Sequence, residues 1–354
     1  MKKRLTALEA KYEAQKLAFA PFYFQVMVTL RKTGILKFIN SHRKGVSIQT
    51  IVNEFGIKEY GVRTLLEAAE SSNVVEYLDE NTVRITKVGF MINSDRMTEV
   101  NINFMNDVCY DGAKYLTDSI INNKPEGLKA FGNWSTIYEG LSILPKQIKK
   151  SWFEFDHYYS DAAFPYALPI VFEDNPRYIF DIGGNTGKWS FACCEYNPDV
   201  RMKIIDLPGQ LNVAKANAQK KGLFDRIDFC HIDLLDSSQK IPKGADVVWM
   251  SMFLDCFSES EIVMILKNVL QAVEQDTPVY IFETFIDNQE YEAAKYSLTA
   301  TSLYFTTIAN GNSKMYHLSH MKQLTKDAGF DIVAEHPLIG RSYHTILKCK
   351  KAKL

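Results

Sequence analysis

The sequence predicts an α/β protein with a doubly wound, mostly parallel sheet, preceded by a smaller, mainly helical winged-helix module. Three observations carry this. From about residue 177, short apolar strand patterns alternate with helical periodicity, the signature of βα units. Within that region Ile179-Phe180-Asp181-Ile182-Gly183-Gly184-Asn185-Thr186-Gly187 reads as a strand running into a glycine turn and a helix. Residues 47–86 read as two helices followed by a hairpin. A chain of 354 residues is long enough for two domains at roughly 150 residues each.

Composition narrows the function classes. Hydrophobic residues make up 46% and charged residues 23%, which excludes a mainly disordered or disulfide-scaffold chain. The net charge is −1, so no global basic field attracts nucleic acid or an anionic membrane. Aromatic residues reach 12%, which fits either a well-filled core or a pocket for a flat apolar ligand. The six cysteines, Cys109, Cys193, Cys194, Cys230, Cys256 and Cys349, form no CxxC pair, and free thiols in a reducing compartment are expected. The apolar run Leu17–Leu30 carries Pro21 and Gln25 and is too short to span a bilayer. A soluble, cytoplasmic protein without a bound metal is the expectation.

In the N-terminal region Ser47 can cap a helix that buries Ile48, Ile51, Val52 and Phe55 and ends at Gly56. A second helix turns Val62, Leu65, Leu66 and Ala69 inward. Val74 to Thr86 then alternates as a hairpin with Glu80-Asn81 near its turn. Over residues 58–70, Lys58 and Arg63 face Glu59, Glu67 and Glu70, an acidic balance that speaks against a DNA-reading helix and for a protein contact. Residues 90–165 read as helical and aromatic-rich.

The strands after residue 177 are Tyr178–Ile182, Met202–Ile205, Ile227–His231, Asp246–Met252 and Val279–Phe285. Ser258 and Glu261 form a capping box that opens a helix. In such a sheet, ligands bind beyond the strand carboxyl ends. The glycine turn fails the dinucleotide spacing, because Asn185 and Lys188 stand where G-x-G-x-x-G needs glycine. Asp181 would repel a pyrophosphate but suits a ligand bearing an ammonium or sulfonium charge. Asp206, at the next strand end, can accept from both ribose hydroxyls, and Asp233 with Leu234 can receive an adenine. The ordered set Asp181, Gly183, Gly187, Asp206 and Asp233 fits S-adenosylmethionine better than a nicotinamide cofactor.

The segments FDIGGNTG, IIDLPG, CHIDLLD, MSMFLDCFSESEIVMILKNV and IFETFID, in this order, resemble class I S-adenosylmethionine-dependent O-methyltransferases of the plant caffeate and bacterial polyketide type. The resemblance implies a Rossmann-like seven-stranded methyltransferase sheet with a final antiparallel strand, for which Leu324 to Phe330 and Tyr343–Lys348 are candidates. It divides the chain into a winged-helix-like dimerisation domain (1–110), a helical lid region (111–170) and an S-adenosylmethionine-binding domain (171–354). It implies a homodimer through the N-terminal domain. It places Gly183 near the methionine moiety, Asp206 on the ribose, Leu207, Asp233 and Leu234 around the adenine, and Ser251 facing the cofactor where the family has Lys or Arg. Phe155, Tyr159, Met252 and Met315 fall on the acceptor side.

The catalytic pattern departs from the family. Its general base is a His in Leu-His-Asp-Trp, but here the text is Leu254-Asp255-Cys256-Phe257, so Asp255 holds the base position. Glu283 matches one of the acids that orient the His, and Met315 replaces the other. Three alternatives remain open at this level: Asp255 is the base with Glu283 as partner, His317 or His320 takes the role, or the acceptor ionises unaided. The reading is methyl transfer to a small, aromatic hydroxyl acceptor (a phenol, polyketide or quinone precursor). Methylation at carbon or nitrogen on the same fold, and a non-enzymatic winged-helix regulator, are the rivals.

Overall fold

The computed structural model describes residues 4–141 and 143–353. Contacts divide the chain into two units, Met1–Asn106 and Asp107–Leu354.

The first unit opens with α1 (Ala7–Thr33), whose start is fixed by a Thr6/Glu9 capping box. Then come α2 (Ile35–Ser41), β1 (Val46–Ser47), α3 (Ile48–Phe55), α4 (Glu59–Ser71), β2 (Val75–Asp79), β3 (Thr82–Ile85), α5 (Lys87–Ser94) and α6 (Arg96–Phe104). The Ser47 hydroxyl accepts from the Thr50 N–H at 3.1 Å, and Gly56 ends α3 in the left-handed region. Val62, Leu66 and Ala69 of α4 are buried, and Leu65 is half-buried. Strands β2 and β3 form the expected hairpin, and β1 adds a third antiparallel strand on β3. This is the helix–helix–wing arrangement read from the sequence. Arg63 of α4 is engaged by Glu59 at 2.7 Å and by the Asn81 side chain at the wing turn.

The second unit begins with short helices α7 (Tyr110–Ala113), α8 (Leu116–Asn122) and α9 (Ile137–Gly140), then α10 (Lys146–Ser160) and α11 (Phe164–Val171). The alternating part follows: β4 (Tyr178–Ile182), α12 (Lys188–Tyr196), β5 (Arg201–Asp206), α13 (Pro208–Lys221), β6 (Ile227–His231), β7 (Val247–Ser251), α14 (Glu259–Ala272), β8 (Val279–Glu283), α15 (Glu292–Tyr304), α16 (Leu318–Asp327), β9 (Phe330–Ile339) and β10 (His344–Lys351). The sheet order is β6-β5-β4-β7-β8-β10-β9, with only β10 running against the rest. One expectation needs correction. Leu324 to Asp327 is the last turn of α16, not strand, and β9 starts only at Phe330. Met321, Leu324 and Thr325 recur at helical spacing and are buried, so the 3.6 period wins over the short apolar text.

Each strand alternates between two cores. Phe180, Ile182, Val248, Met250, Val279 and Ile281 face one, against Ile262, Ile265 and Leu266 of α14. Ile179, Val247, Trp249, Tyr280 and Phe282 face the other, against Trp189 and Phe191 of α12. On this second face Trp189, Trp249, Phe282 and His344 form a row of stacked rings, with centroids 4.1, 5.2 and 4.3 Å apart. No helix among the described residues is long and apolar enough to cross a membrane.

His344 is fully buried, and neither ring nitrogen has a hydrogen-bond partner among the described residues. Burial lowers its pKa to about 3. The unfolded chain therefore binds this proton more readily than the native state between about pH 6.5 and 3. Stability supplied by the neutral ring is complete above that window and is lost as pH falls through it, at about 1.4 kcal/mol per pH unit. Replacing His344→Phe, which keeps a ring on Phe282, is expected to flatten the acid limb of a urea-unfolding pH series. An unchanged limb would contradict this account of the acid sensitivity.

Candidate active site

The strand order reverses between β4 and β7, which places a crevice at their carboxyl ends. Gly183, Asp206, Ser251 and Glu283 all stand at the ends of strands around it. Gly183 has φ +71°, and a Cβ there would lie 2.1 Å from the Phe253 ring, so only glycine lets the turn after β4 meet the turn after β7. Asn185 also has positive φ, which its short polar side chain tolerates.

The three acids at the cofactor end occupy different environments. Asp181 is buried and accepts from the Ser190 hydroxyl at 2.7 Å. Burial raises its pKa to about 7, against the pull of that hydrogen bond. Its carboxylate thus ties the glycine turn to α12 from beneath. Asp206 accepts from the Asn185 N–H at 2.8 Å and from the Leu207 N–H at 2.7 Å. Burial raises it to about 6, while the two amides favour its charged form. Asp233 lies two residues beyond the end of β6, where it accepts from the Leu235 N–H and leaves Leu234 buried in the core. Leu207 stands at the start of α13, and Ser251 is the last residue of β7. The Asn185 side-chain oxygen and the Thr186 hydroxyl are buried without partners among the described residues. A glycine cradle, a strand-end carboxylate and unpaired polar atoms fit a polar ligand of the S-adenosyl type.

The turn after β7 is organised by Glu283. It is 1% exposed, and one carboxylate oxygen accepts from the Phe253 and Leu254 N–H groups, both at 2.9 Å. Its other oxygen has no hydrogen-bond partner among the described residues. These bonds shape the turn after β7, where Met252 is forced to φ +46° and its N–H reaches the Phe282 carbonyl. Asp255 sits in this turn, 4% exposed, with the Cys256 thiol 3.5 Å from it. Burial raises Asp255 to about 7. Burial, and then the Asp255 charge, push Glu283 well above the ordinary carboxylate range. The turn is further held by Asn310, which donates to the Cys256 carbonyl, and by Tyr316, whose hydroxyl donates to the Phe257 carbonyl at 2.7 Å.

Phe155 and Tyr159 lie on α10 with rings 5.0 Å apart, both half-buried. Met315 is buried, with its N–H on the Ser302 hydroxyl. His317 and His320 lie at the start of α16, paired with Asp287 and Glu259 at 3.7 and 3.4 Å. Three groups went unassigned from sequence. Asp156 of α10 accepts from the Asn185 side chain at 3.4 Å, and its charge acts on Asp255. The Trp152 indole donates to the Tyr304 hydroxyl at 2.7 Å. Tyr138 of α9 places its hydroxyl near Cys256, Tyr304 and Asp255. The aromatic-rich text marked the region of Trp152 and Tyr138, but no periodicity or motif picks out those two.

Comparison with known proteins follows from this geometry. A family profile described as an O-methyltransferase domain matches residues 171–331, and one described as a Dimerisation2-like domain matches residues 11–82. The chain is 20% identical over 318 residues to the L-tyrosine C(3)-methyltransferase of Streptomyces lavendulae, covering 89% of this chain and 85% of that protein. It is 30% identical over 114 residues to the 3-hydroxy-5-methyl-1-naphthoate 3-O-methyltransferase of Streptomyces sahachiroi, 32% of each chain. The solved structure of the mitomycin 7-O-methyltransferase MmcR superimposes with a TM-score of 0.73 at 16% identity, over 97% of this chain and 98% of that one. Residues 171–331, with a seven-stranded sheet, one reversed strand and a glycine turn facing strand-end acids, thus form an O-methyltransferase domain, and residues 11–82 a Dimerisation2-like domain.

Proposed function

We propose that this protein methylates a small aromatic acceptor at a phenolic hydroxyl, with Asp255 as general base and Glu283 as its partner. The observation that carries this reading is the buried Asp255–Glu283 pair at the family's base position. When bound, S-adenosylmethionine supplies a methyl carbon activated by positive sulfur; the O–C bond forms, the S–C bond breaks, and its electron pair stays on sulfur.

The chain's own residues do the rest. Asp206, already oriented by two backbone amides, is placed for the ribose hydroxyls, with Leu207, Asp233 and Leu234 toward the adenine, Gly183 toward the methionine part and Ser251 on the same rim. Asp181 acts from below the glycine turn. Phe155, Tyr159, Met252 and Met315 are assigned to the acceptor side. Two adjacent buried carboxylates cannot both ionise, so the pair retains one proton, held on Glu283, and Asp255 is left to take the acceptor's proton. An ordinary aspartate near 3.9 faces a phenol near 10 across about 6 units; with Asp255 at about 7 the gap falls to about 3 units, ~4 kcal/mol. Positioning supplies more, since an oriented intramolecular reaction can gain about 7–11 kcal/mol. His317, exposed, and His320, half-buried, are paired with Asp287 and Glu259 rather than with Asp255 or Glu283.

A second reading is methylation at the ring carbon beside the hydroxyl. Its support is that the relative matched over most of this chain is a C(3)-methyltransferase of L-tyrosine. The same base serves both, because the phenolate is nucleophilic at oxygen and at the ortho carbon. We also propose a homodimer through the N-terminal unit, whose α1 leaves Leu8, Leu17 and Phe22 exposed; a monomer in sedimentation would exclude it.

Two experiments test the site. Incubation of the protein with methyl-13C S-adenosylmethionine and a phenol panel (p-cresol, catechol, tyrosine) is expected to give an ether methyl signal by NMR; a ring-methyl signal would establish the second reading. In the same assay Asp255→Asn is expected to lose about 10²–10⁴-fold in kcat together with the rise of activity through about pH 7. Unchanged turnover across pH would remove Asp255 as base. Separately, Asp206→Ala is expected to weaken S-adenosylhomocysteine binding in calorimetry by at least tenfold, with the fold retained. Equal affinity would take Asp206 out of the cofactor site.

A further inference from the structure

The Tyr138 side chain has no role in the account so far. Its hydroxyl oxygen is buried, with no partner among the described residues beyond the nearby Cys256 thiol. A buried hydroxyl left unpaired is costly, and native structures keep such groups for a reason. The surroundings limit what that reason is. Cys256, Tyr304 and Asp255 are the groups whose charges bear on it. The thiol is a weak partner, and the Tyr304 hydroxyl already receives the Trp152 indole N–H at 2.7 Å. Asp255 belongs to the turn held by Glu283.

Tyr138 is also firmly placed. It lies on α9, after fully buried Ile137. Gly132 and Gly140 leave room for the Trp134 ring, since a Cβ at either would come within 2.5 Å of it. The loop thereby closes on itself and presents the Tyr138 hydroxyl from a fixed short helix. Burial pushes the Tyr138 hydroxyl well above its usual pKa of 10, so it remains protonated and able to donate at working pH.

We propose that Tyr138 donates a hydrogen bond to the acceptor oxygen whose proton Asp255 removes. This rests on the phenolic-acceptor reading above. The acceptor oxygen then has three separate uses. Its proton goes to the Asp255 carboxylate, one lone pair accepts from Tyr138, and the other forms the bond to the transferred methyl. As the O–H bond breaks, negative charge grows on that oxygen. A preorganised donor stabilises it most in the transition state, where the charge is largest. Tyr138 therefore lowers the effective pKa of the bound phenol toward that of Asp255. The site thus joins a base on one side of the acceptor oxygen to a donor that strengthens the acid.

The probe is 4-nitrophenol, whose ionised form absorbs in the visible, titrated with the protein saturated with S-adenosylhomocysteine. The bound probe is expected to ionise at lower pH on the wild-type protein than on Tyr138→Phe, by about one unit, a tenfold change. The affinity for S-adenosylhomocysteine is expected to stay equal, which also reports that the variant is folded. With turned-over phenols, the loss of kcat in Tyr138→Phe is expected to grow with the acceptor's own pKa while KM changes little. A merely structural role would depress all acceptors alike. Identical ionisation of the probe on both proteins, or no spectral change on adding the protein, overturns the proposal. If Asp255→Asn keeps full turnover while the Tyr138 shift persists, the base assignment fails and this one stands. If the shift is absent while Asp255→Asn is inactive, Tyr138 alone is removed.

Discussion

The buried carboxylate of Glu283 is the constraint on which the site depends. It ends β8 and accepts the amides of Phe253 and Leu254, which belong to the turn after β7. The chain leaving β7 folds back sharply onto these two bonds, and Met252 takes a left-handed backbone to do so. That turn puts Phe253 against Gly183, sets Asp255 inside and carries the Cys256 and Phe257 carbonyls to Asn310 and Tyr316. The glycine turn after β4, Asp255 and the region after α15 are thus joined through one acid. Loss of that acid leaves two amides unsatisfied in a buried place, a larger effect than loss of a surface ion pair.

Charge explains why the departure from a His base is chemically coherent. A His–acid pair carries a proton between a cation and an anion. Two acids carry it between a neutral group and an anion, and only if burial makes the second ionisation unfavourable. At 4% and 1% exposure, Asp255 and Glu283 meet that condition. The positive sulfur of the methyl donor suits a site whose resident charge is negative.

Much of this was legible in the sequence, for physical reasons. Strand alternation, the Ser47 and Ser258 caps and the glycine terminus at Gly56 are local signals that tertiary packing left unchanged. The final strands were harder: apolar text at Leu324 belongs to a helix, because burial every third or fourth residue there outranks strand propensity. The Asp255–Glu283 adjacency was inferable only through the family pattern, since 28 residues separate them. Tyr138, Asp156 and the Trp152–Tyr304 bond were not legible. Tyr138 lies on a four-residue helix with no period of its own, and the partners of Asp156 and Trp152 on α10 come from distant segments of the chain. Asp181 shows the opposite case, a residue visible in a motif whose partner, Ser190, appears only in three dimensions.

The central claim is that the Asp255–Glu283 pair holds one proton at neutral pH, leaving one carboxylate to act as base. Infrared difference spectroscopy in D2O at pH 7, wild type against Glu283→Gln, tests it directly. The account predicts that the wild-type protein shows a protonated-carboxyl C=O band that the Glu283→Gln variant lacks. A difference spectrum with no such band, meaning both carboxylates are ionised, would contradict it.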